Sequence, residues 1–181
     1  MAASWADDAL HFWFVELPPF AWWSGDATTD ALVRLRFLAL HEELKRSLPP
    51  GALLLPETAL ATVIALDQFP RNLYRGRPET YAADAVAFAA AERAIALGFD
   101  RAFDRTQRLF FYLPFMHAED RTAQARGLEL CRALGAGETL DQAERHKAIV
   151  DRFGRFPHRN AILGRASTAE EVEFLKTGRG F

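Results

Sequence analysis

The feature that most constrains this chain is how few strand-forming residues it contains. It carries 32 alanines and 23 leucines against 10 valines and isoleucines together. Small and unbranched side chains lose little rotamer freedom in a helix, whereas β-branched ones favour a pleated surface. No stretch alternates polar and apolar residues for long enough to define a strand. A chain of 181 residues that is 50% hydrophobic has ample apolar material for a large core. The expectation is an all-α fold of about seven to nine helices, packed as antiparallel hairpins in a single domain over residues 1–181.

Local signals place the helices. Thr29–Ser47 reads as one, with Leu32, Leu35, Phe37, Leu38, Leu40 and Leu44 as its apolar face and Pro49-Pro50-Gly51 as its stop. Pro56 opens a helix to about Phe69, with Leu60, Val63 and Ile64 inward. Pro78 starts another, Glu79–Leu97, which Gly98 closes. Asp104-x-x-Gln107 and Asp141-x-x-Glu144 resemble capping boxes, Arg121–Leu134 ends at Gly135, and Thr168-x-x-Glu171 caps Ala169–Lys176. A short echo links Phe69-Pro70-Arg71-Asn72 to Phe156-Pro157-His158-Arg159-Asn160. In each, proline disfavours helical geometry at the preceding phenylalanine, so a helix should end there.

Composition also excludes several functions. A formal net charge of −2 argues against a general nucleic-acid coat, and one cysteine excludes an internal disulfide framework. No apolar run approaches the roughly 20 residues of a membrane span, and no basic leader precedes the N-terminal apolar segment, so no membrane role and a cytoplasmic location are expected. Phosphate-binding glycine loops, the dinucleotide fingerprint and the serine-hydrolase elbow are absent. His41-Glu42 begins like a zincin motif, but Lys45 stands where the second ligand belongs. Cys131 shares a helix face with Leu128 and Leu134 and reads as a buried thiol. The aromatic N-terminus should plug the core through Trp13 and Phe14, and it has no flanking bases to suit nucleic-acid stacking.

The informative residues are ionisable groups where the helical period predicts core. Asp67 continues the stripe of Leu60, Val63 and Ile64. His117 and Asp120 extend the stripe of Leu109, Leu113 and Met116, and His146 shares a face with Ile149, Val150 and Phe153. Arg145–Arg165 concentrates basic residues around the single acid Asp151. The economical arrangement is one buried cluster in which Asp67, Glu119 and Asp120 face Arg71, Arg152, Arg155 and the histidines. Such a cluster can hold the helices in register, bind a small anionic or polar molecule, or, through His117, Glu119, Asp120 and Asp67, take a metal. No cofactor is implied.

Three long motifs carry a family resemblance. They are Asp67-Gln68-Phe69-Pro70-Arg71-Asn72-Leu73-Tyr74-Arg75-Gly76, Gln107 through Asp120, and Arg152-Phe153-Gly154-Arg155-Phe156-Pro157-His158-Arg159-Asn160 with Leu163-Gly164-Arg165 and Ser167-Thr168. With Phe12-Trp13-Phe14 and Trp22-Trp23, they resemble the bacterial family of unknown function DUF924 over nearly the whole chain. The resemblance implies a helical, tetratricopeptide-like fold and supplies no reaction. It leaves a protein-interaction module and a metal-assisted hydrolase as alternatives to a ligand-binding protein. The family motifs coincide with the polar groups singled out by period. The candidate ligand-binding set is therefore Asp67, Gln68, Arg71, Asn72, His117, Glu119, Asp120, His146, Arg152, Arg155, His158 and Arg159. Arg71, Arg155 and Arg159 would clamp an anion, Asp67 and Glu119 would orient them, and His117, His146 or His158 would move a proton.

Overall fold

The structure, a computed structural model, describes residues 4–135 and 137–177. Among these residues all regular structure is helical, with no strand, so the all-α expectation holds. The chain forms two compact units. One runs to Arg75 and resumes over Glu79–Pro114; the other takes Gly76–Pro78 and the described residues from Phe115 onward.

In the first unit, α1 (Ser4–His11), α2 (Ala27–Arg46) and α5 (Asp84–Ala96) surround α3 (Pro56–Asp67). Pro56 supplies the preset first-turn geometry of α3, and Thr58 Oγ1 accepts from the Leu55 N–H at 3.3 Å. Every residue from Thr58 to Asp67 is buried, as a helix enclosed on all sides requires. Alanines at 87, 90, 91 and 94 form the buried side of α5 and let α3 approach closely. Phe12 and Trp13 fill the core, with Trp13 edge-on to Phe69 and Phe110. Phe14 is only half-buried, a step short of the expected plug.

Three features of this unit differ from the sequence reading. The buried stripe of α2 is Thr29, Val33, Phe37, His41 and Leu44, while Leu35 is 82% exposed and Leu32 40% exposed. A helix with leucines all round offers two candidate faces, and packing against α3 and α4 chose the one bearing His41. Phe69 does not leave helical geometry. Pro70 instead sits in the first turn of a short helix, α4 (Phe69–Leu73), where a missing N–H costs nothing. Pro78–Tyr81 is a separate turn, so the helix expected from Glu79 begins at Asp84.

The second unit takes the end of α6 (Arg105–His117) and then α7 (Arg121–Leu134), α8 (Gly137–Phe153) and α9 (Ala169–Lys176). Helices α7 and α8 pack as a hairpin. Asp120 caps α7 by accepting from Ala123 N–H at 2.7 Å, and Gly135 ends it in the left-handed conformation at φ 67°. Asp141 is not a cap, because α8 already starts at Gly137. Phe156 is extended (φ −93°, ψ 107°) before Pro157, as expected, and it joins Ile149 and Val150 in the core with Phe153 and Phe174 beside them. Cys131 is buried with Sγ 3.9 Å from Met116 Sδ, and burial pushes its thiol up to about 11, which makes it inert. No helix among the described residues is long and apolar enough to cross a membrane.

Candidate functional site

The candidate residues of the first unit form a carboxylate–guanidinium network. Asp67 ends α3 fully buried, and its carboxylate accepts from Gln68 Nε2 at 2.5 Å and Arg71 Nη2 at 3.1 Å. Arg71 also reaches Asp84 at 3.4 Å, so two carboxylates from different helices share one guanidinium. Asn72 donates to Asp30 at 2.8 Å, and Arg75 grips the same carboxylate through Nε at 3.0 Å and Nη2 at 2.8 Å.

The second unit gathers the rest. The basic stretch Arg145–Arg165 meets acids from elsewhere in the sequence. Arg152 pairs with Glu170 at 2.7 Å. Arg155 holds Glu171 with two hydrogen bonds, 2.7 and 2.8 Å, and donates to the Ala166 carbonyl at 2.9 Å. Glu171 is buried, closes the capping box of α9 with Thr168, and accepts from Asn160 at 3.3 Å. Arg155 foremost, with the Thr168 N–H behind it, holds the Glu171 carboxyl down at about 2. Glu119 takes Arg165 in a fork at 2.5 and 2.9 Å and accepts from the Phe156 N–H at 2.7 Å. Burial works against the Glu119 charge, but Arg165, Phe156 N–H and Arg159 outweigh it, so its carboxyl lies below the ordinary range.

Four cationic or titratable side chains, Arg159, His158, His146 and His117, gather at or near the Phe156 ring. Arg159 as a residue is only 6% exposed; its guanidinium lies 4.7 Å from the Phe156 centroid, and Nη2 donates to the His117 carbonyl at 3.0 Å. His158 lies 5.6 Å from the same ring and His146 meets it edge-on at 5.6 Å. His117 and His146 are 6.2 Å apart between centroids. All three imidazoles are half-buried. The Gln142 carbonyl, 2.8 Å from His146 Nδ1, can only accept, so Nδ1 carries the hydrogen and a further proton must land on Nε2. Burial first, then the neighbouring His117, Arg159 and His158, presses the His146 imidazole down to about 3, so it is neutral at ordinary pH.

The sequence reading therefore located Asp67, His117 and His146 on inward faces and set Asp67 against Arg71, the pair found at 3.1 Å, but it missed the Asp84 carboxylate that shares that guanidinium. It also missed Glu171 and Arg165, the counter-charges of Arg155 and Glu119. The Thr168-x-x-Glu171 box was a visible signal for Glu171, read only as a cap. His41 was missed as well; it is completely buried, with Nδ1 2.8 Å from the Ala65 carbonyl and no protein partner on Nε2. Among the described residues no three His, Cys, Asp or Glu side chains converge closely enough to hold a metal ion.

Comparison with known proteins agrees with this architecture. A family model described as a bacterial protein of unknown function (DUF924) matches residues 9–179. A solved structure, that of the protein of unknown function ATU0120 from Agrobacterium tumefaciens, superposes with a TM-score of 0.91 at 44% identity. The alignment covers 96% of this chain and 97% of that one. No curated protein matches.

Proposed function

The chain belongs to the DUF924 family of bacterial proteins of unknown function, and from that premise we propose that its C-terminal unit binds a small anion. Arg159 is the clamp, and His117, His146 and His158 are the adjustable donors. The observation that carries this reading is a buried guanidinium grouped with three imidazoles about the Phe156 ring. Guanidinium forks suit carboxylates and phosphates, and half-buried imidazoles donate to either. Arg155 and Arg71 each hold carboxylates that fasten elements of their own unit. Asp67, Gln68, Asn72, Asp120 and Arg152 likewise read as fold-holding contacts.

The test is a thermal-shift panel of phosphorylated metabolites, dicarboxylates, sulfate and divalent metals on the intact protein and on Arg159→Ala. A ligand that binds only the folded state at a hundredfold excess over its Kd stabilises by about 2.7 kcal/mol. A dose-dependent shift from anions that Arg159→Ala removes supports the reading. Equal shifts in both proteins, or none, would end it. A second reading, docking of a protein partner, draws on the exposed aromatics Phe20 and Trp23 (71% and 57% exposed), and capture of a partner that Trp23→Ala releases would support it.

A further inference from the structure

Helix α2 turns an apolar surface away from its own core. Val33 and Phe37 lie in the buried stripe, and Leu35 stands midway between them in sequence, on the opposite side of the helix. It is 82% exposed. Ala31, Leu32 and Ala39 are exposed around it, and Leu38 is half-buried. The arginines that flank Leu35 lean off this surface onto their own chain. Arg36 reaches Asp8 and Glu16 at 2.6 Å each, and Arg34 donates to the Leu73 carbonyl. The middle of the exposed side is therefore a strip of leucine and alanine about two turns long.

We propose that this strip pairs with the same strip of a second copy of the chain, the two α2 helices running antiparallel about a two-fold axis at Leu35. The sequence around that residue reads nearly the same in both directions. Ala31-Leu32-Val33-Arg34 is matched by Ala39-Leu38-Phe37-Arg36, with Val33 against Phe37 the one exception, and both of those face the core. A two-fold axis across a helix reverses its direction and sets each residue level with the one equally far beyond the axis. Leu35 then meets its own copy, Ala31 lies level with Ala39 of the second copy, and Leu32 with its Leu38. A contact between like copies needs a patch complementary to itself, which a mirrored order of side chains supplies. An unrelated partner has no use for that order.

The ends of α2 also complement one another in charge. With Leu35 on the axis, the exposed Arg46 comes level with Ser24 of the second copy, within reach of the Asp26 carboxylate that caps α2 there. The Thr29 N–H foremost holds the Asp26 carboxyl below the ordinary range, so it is charged at neutral pH. Exposed Glu43 comes level with Ala27, at the positive N-terminal end of the facing helix. Antiparallel helices set opposite ends of their dipoles side by side, whereas a parallel pair would set like ends together.

Sedimentation of the full chain tests this. Between about 1 and 500 μM, the mean mass should climb from 20.3 kDa toward twice that value. Leu35→Glu, at a site too exposed to matter to the fold, should keep the circular dichroism spectrum and melting temperature of the parent. It should weaken association at least about tenfold, because it buries a charge at the axis. Arg46→Glu should weaken it by a smaller factor, about two- to fivefold. Disulfide trapping reads the orientation. The native Cys131 is buried, so a cysteine placed on the strip reacts without it. Leu35→Cys should oxidise to a covalent dimer. Leu32→Cys should not, because its two copies lie six residues apart along the antiparallel pair, about 9 Å. Trapping at both positions would show a parallel pair and overturn the proposal. A mass of 20.3 kDa at every concentration, or a dimer that Leu35→Glu leaves intact, overturns it as well.

Discussion

His41 is an imidazole enclosed by helices, with its one protein hydrogen bond made by Nδ1. Burial, foremost, lowers its proton affinity against the Ala65 carbonyl, which favours the charged ring. The unfolded chain therefore binds the proton more readily, from about pH 6.5 downward. Its stabilising effect is complete above that value and is lost as pH falls below it. His146, whose folded value is about 3, acts in the same direction. Unfolding by urea at pH 7.5 and pH 5.5 should show a loss of stability that His41→Gln reduces; an unchanged slope in that variant would rule His41 out. Glu171 has the opposite logic. Its carboxyl titrates near 2 when folded and about 4.5 when free. The stabilisation is present above about pH 4.5 and disappears as pH falls toward 2. Glu171→Gln should be less stable than the parent at pH 6, with the gap narrowing from about pH 4.5 downward, as read by circular dichroism.

At the scale of elements, close packing of α7 depends on Gly127. A Cβ built there would lie 2.9 Å from the Phe115 Cβ, and backbone of Phe115 and Met116 stands at 3.5 Å. Alanine would gain up to about 1 kcal/mol of helix propensity, yet overpacking costs about 1–3 kcal/mol. Gly127→Ala is therefore expected to lower the melting temperature. The end of α9 offers a cleaner case. Thr168 accepts from Glu171 N–H at 3.2 Å while Glu171 returns to Thr168 N–H at 2.7 Å. Thr168→Ala should cost about 1 kcal/mol, and recovery by Ser at this position would identify the cap as the cause. The two Phe-Pro echoes also differ at this scale. Both asparagines donate to a carboxylate that an arginine also grips, Asn72 with Arg75 on Asp30 and Asn160 with Arg155 on Glu171. Only Phe156 is extended, because after Phe69 the chain continues into α4 with Arg71 N–H bonded to Gln68 O at 3.0 Å.

For the whole molecule, charge and probe placement set what can be measured. The net charge of −2 gives no general attraction for anions, so stabilisation by sulfate at concentrations too low for its general exclusion effect comes from a local site. At a hundredfold excess over Kd the melting temperature should rise by several degrees, and a matched concentration of sodium chloride should not reproduce it. All four tryptophans, at positions 5, 13, 22 and 23, lie in the first unit. Tryptophan emission therefore reports that unit, and the second is followed through its histidine resonances.

What could be read along the chain was whatever short-range physics controls. Alanine and leucine abundance set the helical class. Proline at Pro56, glycine at Gly98 and Gly135, and the Thr168-x-x-Glu171 box marked ends, because caps and turns are satisfied within a few residues. Asp67 and His146 betrayed their burial through periodicity. Tertiary structure alone decided the remainder. The face of α2 that turns inward was settled by contact with α3 and α4, since leucines on several sides leave local hydrophobicity without a preference. Charge pairing was settled across 16 residues for Arg155 and Glu171 and across 46 for Arg165 and Glu119. Electrostatic attraction acts through space, and only folding brings such distant positions within hydrogen-bonding range. The gathering of His117, His146, His158 and Arg159 about Phe156 has the same origin.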